Sequence, residues 1–247
     1  MKKKIVSVFA IVVVLAVVCA MPVVAQSKAP AEVTGEVVYI PFPVTITLDG
    51  KTDDWAGIPI QAVDRGPKKS PHSKQNRVFN FAVAADDANL YVYMHSVDAK
   101  IVTGKHGKDF WNEDSMEFYF NLSGDLAAAA YKPGIFQINI NPGNIGKNNA
   151  ELTVIGTNSE TVKVTGSVFA TEDGWAFEAA VPLGSFKPEH GKTVGFQAQA
   201  NGTTTKDRDS KLIWSKADKA DASYNKPNVF GKAVFFKVGS TDVPKAQ

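Results

Sequence analysis

The chain has 247 residues, with 27 Lys and Arg against 25 Asp and Glu, four histidines and a single cysteine. Near-balanced charge, most of its positive part Lys and not Arg, argues against a partner recognised through its phosphates, so no nucleic acid is expected. One cysteine excludes a disulfide-held scaffold, and the fold must rest on a hydrophobic core.

Lys2, Lys3 and Lys4 precede an apolar run from Ile5 to Ala20, and Val23-Val24-Ala25 supplies the small residues of a signal-peptidase site. Residues 1–25 therefore read as a signal peptide cleaved after Ala25. A bilayer span needs about 20 apolar residues; the run reaches that length only through Met21 and Pro22, and no stop-transfer charges follow. Val17-Val18 ahead of Cys19 does not suit a lipoprotein. The expectation is a secreted or periplasmic protein with no membrane attachment after cleavage. Cleavage removes Cys19 and three lysines, leaving 24 basic against 25 acidic side chains and moving the formal charge from +2 to −1.

Residues 26–43, rich in Ala, Val, Glu and Pro, read as a linker. From 44 to 238, short alternating runs broken by Gly, Pro, Asn and Asp mark half-buried antiparallel strands. The strands are expected near 44–48, 78–85, 90–97, 115–122, 135–141, 162–170, 175–181, 194–201, 212–215 and 232–238. Asp86-Asp87-Ala88-Asn89 and Glu172-Asp173-Gly174 read as hairpin turns, and 126–131 as a short helix ended by Pro133-Gly134. About ten strands with at most short helices predict an all-β, antiparallel β-sandwich. The tail, 239–247, reads as disordered.

Strand parity adds information. Met116, Phe118 and Phe120 oppose Glu117, Tyr119 and Asn121; Phe136, Ile138 and Ile140 oppose Gln137, Asn139 and Asn141; Phe196, Ala198 and Ala200 oppose Gln197, Gln199 and Asn201. Each strand thus has a core face and a polar face. Amides dominate the polar faces, offering donor and acceptor on one rigid group, which suits a hydroxyl-rich ligand. Two readings fit: a solvated sheet face, or a sugar-binding one.

Several segments resemble the family 9 carbohydrate-binding modules, sugar-binding domains often appended to xylanases. Val44 to Gly50 with Asp53 and Trp55 resembles that family's opening strand and turn. The stretch Ala85 to Val92 resembles its "D…LYV" hairpin, with Asp98 at the acidic position ending the next strand. Trp111-Asn112-Glu113-Asp114-Ser115-Met116-Glu117 matches "W-x-x-D-S-x-E", the most specific element. Gly174 to Pro182 resembles "G-Y-x-x-E-x-x-I-P", and Asn228-Val229-Phe230-Gly231 the closing "F-G". Order and spacing hold over roughly 44–238.

The resemblance implies a non-catalytic domain that sandwiches a chain-end sugar, of xylan or cellulose type, between two rings. Trp111 matches the first ring and Tyr224 falls at the second, usually Trp. Glu117 matches the acidic hydroxyl ligand, Arg208 a sugar-contacting arginine, and Gln199 and Asn201 nearby amide positions. Gln137 stands where the family has Arg. No cofactor is required; a structural calcium is implied, with Asp98 the matched ligand, and a secreted glycoside hydrolase is the implied partner.

The residues alone leave other readings open. Trp111 caps the core's edge, Tyr224 is a plain loop tyrosine, Glu117 a surface strand residue, and Arg208 a partner of Asp207 or Asp209. Trp55, Trp175 and Trp214 read as packing. The four histidines lack ligand spacing, and no Gly-x-Ser-x-Gly, Walker or dinucleotide motif is present. Related sandwiches include exported b-type haem domains, an alternative that points to Met94, His95 and Met116; Met116 shares the apolar parity of Phe118 and Phe120, which favours a core methionine.

Overall fold

Alternation of apolar and polar side chains marks the strands from which the fold is built. The computed structural model describes residues 26–146 and 152–247. The expected signal peptide, its cleavage site and Cys19 lie outside the described residues. Twelve strands are present among those described: β1 (Val37–Phe42), β2 (Gln61–Val63), β3 (Gln75–Ala85), β4 (Asn89–Asp98), β5 (Ser115–Asn121), β6 (Ile135–Asn141), β7 (Thr153–Ile155), β8 (Thr165–Ala170), β9 (Gly174–Pro182), β10 (Thr193–Gly202), β11 (Ser210–Ile213) and β12 (Gly231–Lys237). Helix is confined to single 3₁₀ turns.

Two sheets form the sandwich. One runs β1-β12-β10-β5-β6-β7, with β11 also paired to β10; the other runs β2-β3-β4-β9-β8. β1 runs parallel to β12, and the remaining strand pairs are antiparallel. β10 pairs with β12 through Thr193–Phe196 and with β11 through Gln199–Gly202. That handover brings β11 beside the far end of β10, which matters for the site.

The expected register holds. Phe118, Phe120, Phe136, Ile138, Phe177, Ala179, Phe196 and Ala198 are each at most 2% exposed and lie in one core between the sheets. Phe118 meets Phe177 across that core at 6.0 Å between ring centroids, and Phe81 meets Phe196 at 5.4 Å. Trp55, Trp175 and Trp214 are all buried. Met94 and Met116 belong to the same core at 0% exposure.

Four expectations need correction. Residues 44–48 are not a strand: Val44 N–H donates to the Ala85 carbonyl (2.7 Å), but Thr47 N–H turns to the Asp54 carboxylate (2.8 Å). Without a ladder, Val44 and Ile46 instead pack with Trp55 over Ala82, Tyr91, Tyr93 and Ala176 on the outer face of the five-stranded sheet. Residues 126–131 form turns, not a helix, because so short a segment cannot repay helix nucleation.

The stretch read as a linker, 26–43, contains β1, whose Val38 and Ile40 reach the core. Pro41 sits in β1 because this is the edge strand of its sheet, where one missing N–H is tolerated. Ahead of it, the Trp214 indole donates to Glu32 (2.8 Å). The tail read as disordered is docked: Tyr39 donates to the Pro244 carbonyl (3.3 Å), His190 meets Asp242 (3.0 Å), and Gln247 N–H donates to Thr193 (3.1 Å). The three-residue strands β2 and β7 were not expected, since alternation has no purchase on so few residues.

Candidate functional site

The polar faces of β5, β6 and β10 lie side by side, with Glu117 paired to Gln199 and Asn139, and Tyr119 to Gln197 and Gln137. This face is not solvated. Part of it is the bed of the 214–230 loop: Gln197 donates to Ser223 (3.1 Å), Gln199 donates to Asp218 (3.2 Å), and the Tyr119 ring packs against Phe230 at 5.4 Å. The remainder opens into a cavity of about 800 Å³.

Trp111, Glu117, Gln137, Arg208 and Tyr224 all line that cavity, together with Tyr119, Asn139, Lys211 and Asp221. Five of the residues singled out from sequence are therefore brought together from distant parts of the chain. The Trp111 and Tyr224 rings are 48% and 56% exposed, so neither is core. Gln199 and Asn201 are buried behind the wall. Asn201 donates to Glu117 (2.6 Å) and Ser115 (3.0 Å), and its carbonyl oxygen accepts from Arg208 and Lys211 (both 3.0 Å).

The segment 111–117 explains itself residue by residue. Trp111 sits in a 3₁₀ turn, Phe110–Asn112, anchored by buried Phe110. Behind it the Glu113 carboxylate accepts N–H bonds from Gly104 (2.8 Å), Lys105 (2.7 Å) and His106 (3.3 Å), and one from the Asn141 amide (2.9 Å). Burial would raise Glu113's pKa, but these donors outweigh it and hold it below its usual value. Asp114, on the other side, accepts from Thr203 N–H (2.8 Å), Asn76 (3.2 Å) and Val102 N–H. Asn112 accepts from Arg208 N–H (3.1 Å), tying the two loops of the mouth together.

At the floor, Glu117 is 1% exposed and its carboxylate takes four donors. Oε1 accepts from Asn201 and from Lys211 Nζ (2.9 Å); Oε2 accepts from Tyr119 and from Gln137 (2.7 Å). Burial pushes this carboxyl up, but the Lys211 charge and the hydrogen bonds from Tyr119, Lys211 and Asn201 win and hold it at about 2. A carboxylate offers about four acceptor positions, and all of those on Glu117 are filled by the protein's own donors, of which Gln137 is half-buried. Asn139 Oδ1, also on the floor, is buried without a hydrogen-bond partner.

Sequence reasoning missed Lys211 and Asp221. Lys211 is 2% exposed, pairs across the ladder with Asn201, and lies 3.4 Å from Asp221, which also holds Arg208 at 3.1 Å. Parity carried the signal for Lys211, since Leu212 and Trp214 are core and their neighbour must face the amides. The expected strand began one residue too late to include it. Arg208 pairs with Asp221, not with Asp207 or Asp209 as its bland reading had it.

Asp98 lies elsewhere, on a second cavity of about 640 Å³ with Thr171, Glu172 and Asp173. It is 3% exposed. One oxygen accepts from Lys100 N–H (3.0 Å); the other is buried with no N–H donor, and the Asp98 carboxyl is in hydrogen-bond contact with that of Asp114. Burial raises Asp98, and burial together with the Asp98 charge pushes neighbouring Asp114 up to about 8. An orphaned carboxylate oxygen is the kind of donor a hard cation takes, although calcium draws six to eight oxygens. Among the described residues no group of three or more His, Cys, Asp or Glu side chains is placed to hold a metal. His95 has both ring nitrogens engaged, by Asn80 (3.3 Å) on one side and by Asp173 (2.8 Å) and Thr171 (3.2 Å) on the other.

A model of the carbohydrate family 9 binding domain-like family matches residues 48–237. The chain is 24% identical over 195 residues to endo-1,4-beta-xylanase A of Thermotoga neapolitana, a match that takes in 78% of this chain and 17% of that enzyme. It thus spans only a small part of that relative's length. Two solved structures of a family 9 carbohydrate-binding module from Caldicellulosiruptor kristjanssonii share the fold. The complex with cellotriose gives a TM-score of 0.65 at 20% identity, covering 86% of this chain and 100% of that one. The complex with glucose gives 0.64 at 21% identity, covering 85% and 100%.

Proposed function

The chain belongs to the carbohydrate family 9 binding domain-like family, and on that premise we propose that it holds a neutral sugar chain of cellulose or xylan type in the cavity between Trp111 and Tyr224. The observation that carries the reading is the convergence of Trp111, Glu117, Gln137, Arg208 and Tyr224 on one cavity, with both rings exposed at its edge. A pyranose has an apolar C–H face that stacks on such rings. Its hydroxyls need mixed donors and acceptors, which Gln137, Asn139, Arg208 and Asp221 present.

Binding proceeds without turnover. Glu117, held ionised, does not serve as the proton-donating acid a glycosidase requires, and the family is one of binding modules. From behind the wall Asn201 orients Glu117 and Arg208, while Gln199 holds Tyr119 and Asp218. Export through residues 1–25, action beside a glycoside hydrolase, and a structural calcium at Asp98 complete the proposal. They are supported by the basic and apolar N-terminal pattern, by the xylanase relative and by the orphaned Asp98 oxygen.

Titration calorimetry with glucose, cellotriose and xylotriose tests the reading. Saturable binding of at least one, lost in Trp111→Ala, is expected. Heats indistinguishable from dilution for all three would overturn it.

A further inference from the structure

We propose that Lys211 is the positioning residue of this site: its buried ammonium fixes the orientation and charge of Glu117, and so sets the pH range over which the cavity takes a sugar. The ligand half of this proposal rests on the sugar-binding reading; the charge half does not.

Lys211 is no ordinary surface lysine. Its ammonium donates to Glu117 Oε1 at 2.9 Å and Asn201 Oδ1 at 3.0 Å, and lies in an ion pair with Asp221 Oδ1 at 3.4 Å. Its backbone is gripped from both sides. It pairs with Asn201 in the ladder, and its N–H donates to the Lys68 carbonyl at 2.7 Å. A Cβ at Gly66 would lie 2.0 Å from the Lys211 carbonyl oxygen, so only glycine lets the 65–68 stretch come this close.

The groups facing Glu117 are Tyr119 on its own strand, Gln137 on β6, Asn201 on β10 and Lys211 on β11. Arg208 and Asp221 stand beyond, paired to each other. Lys211 is thus the cation in direct contact; the other contacts are neutral. Breaking a buried pair by removing one partner strands the other charge. Without the ammonium, Glu117 would take up a proton and present an O–H toward neighbours that already present N–H and O–H. The amide arrangement at the floor would then have to turn over.

The two states differ in sign. In the wild type the folded-state pKa of Glu117 is depressed, so its contribution to stability is complete above its unfolded value, about 4.3, and is lost as pH falls through the folded one. In Lys211→Met the folded value is raised, and stability is lost as pH rises through it.

Carboxyl ¹³C NMR of the sugar-free protein reads Glu117 directly, and calorimetry with cellotriose and glucose reads binding. The wild type should show a Glu117 midpoint below pH 4 and a flat affinity from pH 5 to 8. Lys211→Met should move the midpoint above pH 5, weaken binding by about ten-fold or more, and make it vary with pH across that window. Lys211→Arg should restore a flat profile. An unmoved Glu117 midpoint in Lys211→Met overturns the role of Lys211, whatever the sugars do. A wild type that binds neither sugar while the midpoint moves as expected overturns the sugar reading and, with it, the ligand half alone. Should Lys211→Met be unfolded at pH 7, the double variant Glu117→Gln/Lys211→Met, which removes both charges, should fold there. A double variant no more stable than the single one overturns the proposal.

Discussion

The guanidinium carbon of Arg208 stands 5.4 Å from the centroid of the Trp111 ring, joining two loops from opposite halves of the chain at the mouth of the cavity. A cation over an indole face is attracted to it, and here the same guanidinium is fixed by Asn201 and Asp221. The ring is therefore held without being buried. Trp111→Ala should lower sugar affinity by about 1–3 kcal/mol, the range for stacked aromatic contacts, with little change in melting temperature. Arg208→Ala should cost binding too, with a larger effect on the fold because Asp221 loses the closer of its two cations and Asn201 loses a donor. Calorimetry paired with thermal melts on both variants checks this; a Trp111→Ala protein that melts far below wild type would put the ring in the core instead.

The second prediction concerns how the Trp111 loop is held. Glu113 is 0% exposed and gathers three consecutive backbone N–H groups. Glu113→Ala takes away the acceptor of all three in a partly exposed loop, a loss of about 1–3 kcal/mol. Urea unfolding should show that loss, and sugar binding should weaken although Glu113 does not line the cavity. Because its folded pKa is lowered, the contribution of Glu113 is present at neutral pH and disappears on acidification. Wild-type binding in a protein destabilised by this change would show that the loop's position does not matter to the ligand.

Much of this was legible because period two is a strong signal in strands that bury one face. The parity of Phe118, Phe136 and Phe196 fixed the register of three neighbouring strands and hence the common face of Glu117, Gln137 and Asn201. What alternation does not encode is what covers that face. The amides that suggested an open sugar platform are in part the bed for Ser223 and Asp218, and nothing in the local pattern of 214–230 says so. Lys211 was missed for a related reason: a lysine reads as solvent-facing until its cross-strand partner is known, and the β10–β11 pairing is not local. The same holds for Val37–Phe42, whose Pro41 reads as linker until the strand is seen at an edge, and for the tail, which needed Tyr39 and His190 as anchors.

The third prediction tests calcium. Asp98 has one buried oxygen with no N–H donor, and its carboxyl is in contact with that of Asp114, which braces both loops of the mouth. A divalent cation there would relieve both. Millimolar calcium should raise the melting temperature of the wild type, chelation should lower it, and Asp98→Asn should abolish the response. Identical melts with calcium and with chelator would retire calcium at Asp98 while leaving the sugar site untouched, since Asp98 lies on the other cavity.

The last prediction concerns Tyr224. It stands 56% exposed in the 214–230 loop, on the same cavity as Trp111. That loop is firmly held: Asp218 accepts the N–H groups of Ala222 (2.8 Å) and Ser223 (3.0 Å), and Tyr131 donates to the Ser223 carbonyl (2.8 Å). The backbone under Tyr224 is thus prepaid, and its ring can change without disturbing the fold. An indole offers a larger apolar face than a phenol, and stacking gain follows the area removed from water. Tyr224→Trp should therefore tighten cellotriose binding by about two- to ten-fold, or up to ~1.4 kcal/mol. Tyr224→Ala should weaken it, though less than Trp111→Ala, whose ring Arg208 holds in place. Calorimetry on the three variants under one buffer ranks them. If Tyr224→Trp and Tyr224→Ala both bind as wild type does, the second ring takes no part, and the sugar rests on Trp111 and the polar floor alone.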